Sequence, residues 1–222
     1  MDNKMIKSFL CCYPRSGSSY LRFLVDKNTD YCIGTSHDTN KFDVKLTTLS
    51  SSHKKPIIAL KTHHPQQFRL TSTLRQKINN DMNTSLLILI RNPYDVLRSW
   101  KKLENFKIND SCIRNFCNDW NNFISFYEKL RGNRKMFLTY EDLTSNTEFS
   151  LRRVCDFFGI AMNPNFENVD RQESIRRSNP DFIGTCKVLY GKDFFTDLQT
   201  EQIKKACGNY LIKYFSEFEG SK

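Results

Sequence analysis

Leu86-Leu87-Ile88-Leu89-Ile90 is an unbroken apolar run that stops at Arg91-Asn92-Pro93. A strand with one wet face alternates apolar and polar residues. A short continuous run is the kind expected of a parallel strand buried on both faces. Phe9 to Tyr13 and Pro56-Ile57-Ile58-Ala59-Leu60 read the same way. Helical period appears elsewhere. Ile113, Phe116, Trp120, Phe123, Ile124, Tyr127 and Leu130 form one long stripe, with Gly132 just beyond. Leu151, Val154, Cys155 and Phe158 share a face; Ser145 and Glu148 have capping-box spacing, and Gly159 suits the stop. Ile203, Cys207, Tyr210, Leu211 and Tyr214 form a last amphipathic helix, and Phe68 to Ile78 a weaker one. The polar stretches Thr29–Lys55 and Asn163–Asp197 read as loops. At 222 residues the pattern describes a single α/β domain over residues 1–222 with a sizeable core.

Composition excludes disorder: 39% of the residues are hydrophobic, with 18 Phe and 9 Tyr. The balance of 34 Lys+Arg against 24 Asp+Glu gives +10, which suits an anionic ligand, nucleic acid or an anionic membrane surface equally. No apolar stretch approaches the roughly 18 residues that span a bilayer. The apolar run before Pro14 covers only Phe9 to Tyr13, so no signal peptide is read. A cytoplasmic location with mostly reduced thiols is the expectation for the eight Cys. Cys112 and Cys117 lie five apart on a helix without a second Cys/His pair for zinc, and read as packing residues. The sequons at Asn83 and Asn109 are read as chance.

Four stretches carry chemistry. Cys11-Cys12-Tyr13-Pro14-Arg15-Ser16-Gly17-Ser18-Ser19-Tyr20-Leu21-Arg22 reads as a strand, a tight turn and a helix start. Backbone N–H groups at a helix N-terminus have no intrahelical partner and can hold an anion. Ser16, Ser18 and Ser19 add hydroxyl donors, and Arg15 a permanent charge with a planar fork of donors. Arg91-Asn92-Pro93-Tyr94-Asp95, with Ser99 two turns later, places an Arg at a strand's carboxyl end, Asn92 at an N-cap and Pro93 in a first helical turn. The third stretch, Lys61-Thr62-His63-His64-Pro65, brings imidazoles to the end of another strand, where one could take a proton near neutral pH. The fourth is Tyr140-Glu141-Asp142-Leu143, which joins a strand to the helix ending at Gly159.

In this order the four stretches resemble the sulfotransferases, over about residues 6 to 160. The first resembles their 5′-phosphosulfate loop, and not the triphosphate loop G-x-x-x-x-G-K-[ST]. The second resembles their 3′-phosphate motif, the third their Lys-Thr-His-x-Pro, and the fourth their Tyr-Glu-Asp-Leu segment. The resemblance implies a P-loop-like three-layer α/β sandwich with a mainly parallel sheet flanked by helices. It implies 3′-phosphoadenosine 5′-phosphosulfate (PAPS) as donor, an acceptor hydroxyl or amine, and no metal. By the same token His63 is the base, with His64 second. Lys61 and Arg15 neutralise charge on the transferring group, and Ser16, Gly17, Ser18 and Ser19 hold the 5′-phosphate. Arg91 and Ser99 anchor the 3′-phosphate. Tyr140 is an adenine contact or, equally, a core aromatic.

The chain departs from the family pattern in places. Arg15 stands for a common Lys, and Tyr20 for a Trp that stacks on adenine. The late Arg-Lys-Gly loop is unrecognisable, with Lys187 the candidate in its place. Two other classes compete. A P-loop kinase would want a Lys after the loop and an Asp at a strand end for Mg²⁺, where this chain has Lys61 and Arg91. A basic non-catalytic nucleotide- or nucleic-acid-binding protein fits the charge, but no zinc-finger or RNA-recognition signature is present. A small molecule or a glycan is the expected acceptor, and a peptide is the alternative; no nucleic-acid partner and no membrane span are expected.

Overall fold

In the computed structural model, which describes residues 7–37, 45–47, 55–65, 72–81, 83–104, 108–170 and 194–216, the three apolar runs lie side by side. They form β1 (Ser8–Cys12), β4 (Ile57–Thr62) and β5 (Ser85–Ile90), and β1 pairs in parallel with both others. With β2 (Cys32–His37), β3 (Lys45–Thr47) and β6 (Arg134–Thr139) they make a six-stranded sheet of order β3-β2-β4-β1-β5-β6. Only the β2/β3 edge is antiparallel.

The apolar runs are continuous because both faces are covered. Phe9, Cys11 and Tyr13 join Leu86, Ile88 and Ile90 on one face. That face packs against α3 (Pro93–Glu104), α4 (Asp110–Lys129) and α7 (Asp197–Phe215), and α2 (Ser72–Asn80) adds Ile78. Leu10, Cys12, Leu87 and Leu89 line the other face under α1 (Ser18–Asn28), α5 (Tyr140–Ser145) and α6 (Thr147–Phe158). The result is the expected three-layer α/β sandwich.

Chain order explains where a ligand can bind. From β1 the chain goes through α1 to strands on the β4 side, then crosses through α2 to β5 on the opposite side of β1. The direction of winding reverses at β1, so the turns leaving β1, β4 and β5 meet around one crevice. Those turns are the first three chemical stretches of the sequence.

Two local expectations differ from the structure. The stretch Thr29–Lys55, read as loop, contains β2 and β3. Its strand Cys32-Ile33-Gly34-Thr35-Ser36-His37 alternates too weakly to announce itself, and is held by pairing with β4. The capping box at Ser145 and Glu148 does not form. Thr139 starts a separate short helix by accepting from Asp142 N at 2.9 Å, and Asn146 breaks it from α6. Ser145 instead donates to the Asp142 carbonyl, and Glu148 pairs with Arg152. Of the Asn163–Asp197 stretch, the described residues 163–170 are irregular and fastened by buried Asn28. Its amide donates to the Leu24 and Glu167 carbonyls and accepts from Glu167 N. Lys187 lies outside the described residues.

The cysteines of the described residues are free thiols, and Asn109 serves as the N-cap of α4 through Cys112 N. Among the described residues no helix is long and apolar enough to cross a membrane. Trp120 of α4, wholly buried, donates from Nε1 to the Arg91 carbonyl at 3.2 Å and fixes the exit of β5. Trp120→Phe leaves that buried carbonyl without its donor, and should lower stability by about 1–3 kcal/mol in urea unfolding. An unchanged midpoint would show that the bond does not hold the turn.

Candidate active site

The turn after β1 takes two residues into the left-handed region, Arg15 at φ 69° and Gly17 at φ 88°. Ser16 N donates to the Tyr13 carbonyl at 3.2 Å, and α1 begins at Ser18. The first N–H groups of that helix, which have no intrahelical partner, therefore lie at the switch point of the sheet. Ser16 is buried, and its Oγ has no protein partner. Gly17 is required for a second reason besides its φ. A Cβ there would stand 2.3 Å from the Tyr140 ring. Tyr140, left open between ligand contact and core residue, packs its ring on this turn.

Arg91 lies across the same ring, its guanidinium carbon 4.4 Å from the Tyr140 centroid. Its Nη1 donates to the Arg15 carbonyl at 3.4 Å, and Nη2 is 3.7 Å from Asp95. Its buried Nε has no protein partner. Asn92 caps α3 through Tyr94 N, as expected. The Arg15 side chain turns to Ser99, donating from Nε at 3.0 Å. The two phosphate-type turns are thus directly joined, which their separation in the sequence gave no sign of.

Glu141, which carried no role in the sequence reading, underpins the junction. Its Oε1 accepts from Asn92 N at 3.0 Å, while Oε2 is buried without a partner. Burial pushes its carboxyl up to about 7, against the pull of the Asn92 N–H and of Arg91.

On the other side of the first turn stands the strand-end basic group. His63 Nδ1 is 2.7 Å from the Cys12 carbonyl oxygen and 3.4 Å from Cys12 Sγ. His64 points away into the core. Its ring meets Phe126 edge-on at 5.1 Å, and its carbonyl accepts from Tyr127 Oη at 2.7 Å. Of the two imidazoles, only His63 is turned to β1. Lys61 is held below its usual pKa by burial, and by Arg22 and Arg15, with Cys12 acting the other way. Arg22 was unassigned in the sequence reading, although a charged residue inside Leu21-Arg22-Phe23-Leu24-Val25 was the signal to look for. Its Nε donates to the Ile33 carbonyl at 2.9 Å, and burial brings its pKa down to about 10. Tyr20 is buried in the core of the α1 face, its hydroxyl 3.5 Å from Thr147 Oγ1 and from Asn168 Oδ1. Ser18 is near the Cys12 thiol, and Ser19 is partly exposed in the first turn of α1.

A helix start, a left-handed turn and clustered cations meet at the switch point of the parallel sheet of an α/β protein, an arrangement whose chemistry suits an anion. The sulfotransferase domain profile matches residues 6–215, and the chain belongs to that family. Mouse sulfotransferase SULT7A1, solved in complex with PAP, superposes with a TM-score of 0.59 at 18% identity, covering 98% of this chain and 89% of that one. A sulfotransferase from Alicyclobacillus acidocaldarius gives 0.50 at 11% identity, over 90% and 94%. Both likenesses concern the fold. No curated protein matches the chain in sequence.

Gly17→Ala should lower stability in urea unfolding, through both φ and the clash with Tyr140. Adding Tyr140→Ala should restore part of the stability and not all of it. Full restoration would mean that φ costs nothing. Glu141 yields a pH prediction. Its folded carboxyl still holds its proton where the unfolded one, near 4.5, has lost it. The unfolded state binds fewer protons between the two values, so stability falls as pH rises through that window. Glu141→Gln keeps an acceptor for Asn92 N and should shrink the drop in urea midpoint between about pH 5 and about pH 7.5. An equal drop in both proteins would clear Glu141 of the effect.

Proposed function

We propose that this protein is a sulfotransferase that moves a sulfuryl group from PAPS to an acceptor hydroxyl or amine. The observation that carries the reading is the junction of the two basic turns, Arg15 on Ser99 and Arg91 on both Tyr140 and the Arg15 carbonyl. A ligand with phosphates at two ends fits two joined cationic turns better than one with a single phosphate chain. The unpartnered Ser16 Oγ and Arg91 Nε are donors that such a ligand would satisfy.

In this reading the α1 start, with Ser16, Gly17, Ser18 and Ser19, holds the 5′-phosphate. Arg91 and Ser99 hold the 3′-phosphate, with Arg15 bridging toward it. Tyr140 and Tyr20 border the base, Tyr140 chiefly by shaping the turn, and Lys187 is proposed as a further phosphate contact. The donor supplies an activated sulfuryl group. His63 takes the acceptor's proton at Nε2, since Nδ1 is engaged by Cys12. Lys61, buried and flanked by Arg22 and Arg15, gains from a bound anion and neutralises the charge that builds on the transferring oxygens. The reading requires no metal. A small molecule or glycan is the proposed acceptor, with a peptide second. A kinase reading is disfavoured by Lys61 and Arg91 at strand ends where it needs an acid, and by the family match.

Calorimetric titration with adenosine 3′,5′-bisphosphate against ATP tests the donor site. The bisphosphate should bind more tightly, and Arg91→Ala should abolish the preference. Preference for ATP would put the kinase reading first. His63→Ala should keep bisphosphate binding and lose roughly a hundredfold to ten-thousandfold in sulfuryl transfer. Near-normal turnover would remove His63 as base.

A further inference from the structure

The chemistry of the crevice makes no use of two thiols that meet between α4 and α7. Cys117 of α4 and Cys207 of α7 are buried in the same apolar core, and their side chains share a hydrogen bond. The packing of the two helices brings them to one level. Asn121, one turn after Cys117, donates from Nδ2 at 2.8 Å to the carbonyl of Ala206, the residue before Cys207. Trp120 meets Tyr210 edge-on, with centroids 6.1 Å apart, and Glu128 accepts from Lys213 and Tyr214 further along. Contacts climb together along both helices, so they run side by side in the same direction. Cys117, read from the sequence as a packing residue with Cys112, thus finds its neighbour in a distant part of the chain.

The pair is reachable. A cleft of about 210 Å³ opens between α4 and α7, and Cys207 stands in its wall with Asn121, Ser125 and Tyr210. A molecule little larger than water fits there.

We propose that Cys117 and Cys207 form a reversible redox site, which hydrogen peroxide closes into a disulfide that staples α7 to α4.

Cys207, in the cleft wall, reacts first. Its sulfur takes one oxygen from the peroxide as a sulfenic acid, and one water leaves. The Cys117 sulfur behind it attacks that sulfur. The S–S bond forms as the S–O bond breaks, and a second water leaves. The two thiols give up two electrons and two protons, and the peroxide is reduced to two waters. A small dithiol reverses the change by thiol–disulfide exchange. The bond fastens the helix whose Tyr210 and Phe215 pack on Trp120, the residue that holds the Arg91 carbonyl. It also closes a long loop of chain, which restricts the unfolded state. None of this depends on the sulfotransferase reading.

The native protein, treated with hydrogen peroxide, blocked with N-ethylmaleimide and digested without reduction, tests the site by mass spectrometry. A peptide pair joined through Cys117 and Cys207, two hydrogens lighter than the separate peptides, is expected. The urea midpoint of the oxidised protein should rise by roughly 1 M and return with dithiothreitol. Cys207→Ala should form no link and show no rise. Should that variant fail to fold, the wild-type mapping decides alone. Both thiols recovered unlinked, Cys207 stopping at a sulfur oxyacid, or either sulfur joined to another cysteine would overturn the proposal. A correct link that leaves the midpoint unmoved overturns it as well, because the two helices would then not be stapled.

Discussion

Everything in this molecule follows from one strand pairing in parallel on both sides. Because β1 takes β4 on one edge and β5 on the other, three turns that are far apart in the chain open into one crevice. The same pairing demands cover on both faces, which is why the central strands are apolar without interruption. Their burial makes the turns rigid mounts: Trp120 grips the Arg91 carbonyl from α4, and Tyr127 grips the His64 carbonyl. Side chains that would be mobile on a surface loop are thereby referenced to a packed core.

Charge at the crevice is one-sided. Arg15, Arg22, Lys61 and Arg91 stand near the turns. Asp95 is shared between Arg91 and Arg98, and the Glu141 carboxyl is held neutral well above its ordinary range by burial. Burying cations is costly in the free protein and crowding adds to that cost; the lowered pKa of Lys61 comes from its burial first and then from Arg22 and Arg15. A polyanion between the turns relieves that cost.

Much of this was legible in the sequence, and the parts that were not share a cause. The buried strands, the α4 stripe, the Asn92 cap and the tight turn through Gly17 follow from local rules, since an apolar run or a turn residue needs only its neighbours. β2 escaped because a strand held mainly by its pairing partner need not show strong alternation. The capping box failed because Thr139 offered an earlier start, a competition that spacing alone does not decide. Arg22 and Glu141 were missed because their roles are made by contacts across 11 and 49 residues. His63 and His64 illustrate the limit best. Adjacent and identical in type, they are told apart only by β1 on one side and Phe126 on the other.

The bond from Arg15 to Ser99 has a thermodynamic consequence under the sulfotransferase reading. On that reading Arg15 belongs to the turn that would take the 5′ end of the donor, and Ser99 to the helix, Pro93–Glu104, that would take its 3′ end. With the Arg91–Arg15 carbonyl contact, this ties the turns before any ligand arrives, so the second phosphate meets a site already ordered by the fold. Ordering costs that would otherwise accompany binding are borne by folding, and affinity for a bisphosphate of the matching span rises without a new contact. A triphosphate chain, whose charges run along one line, would engage the α1 turn alone and leave Arg91 facing Tyr140 and Asp95 as before. On that reading, selectivity for the donor would arise from the spacing that the β1–β5 pairing imposes on the two cations, more than from the charge of either.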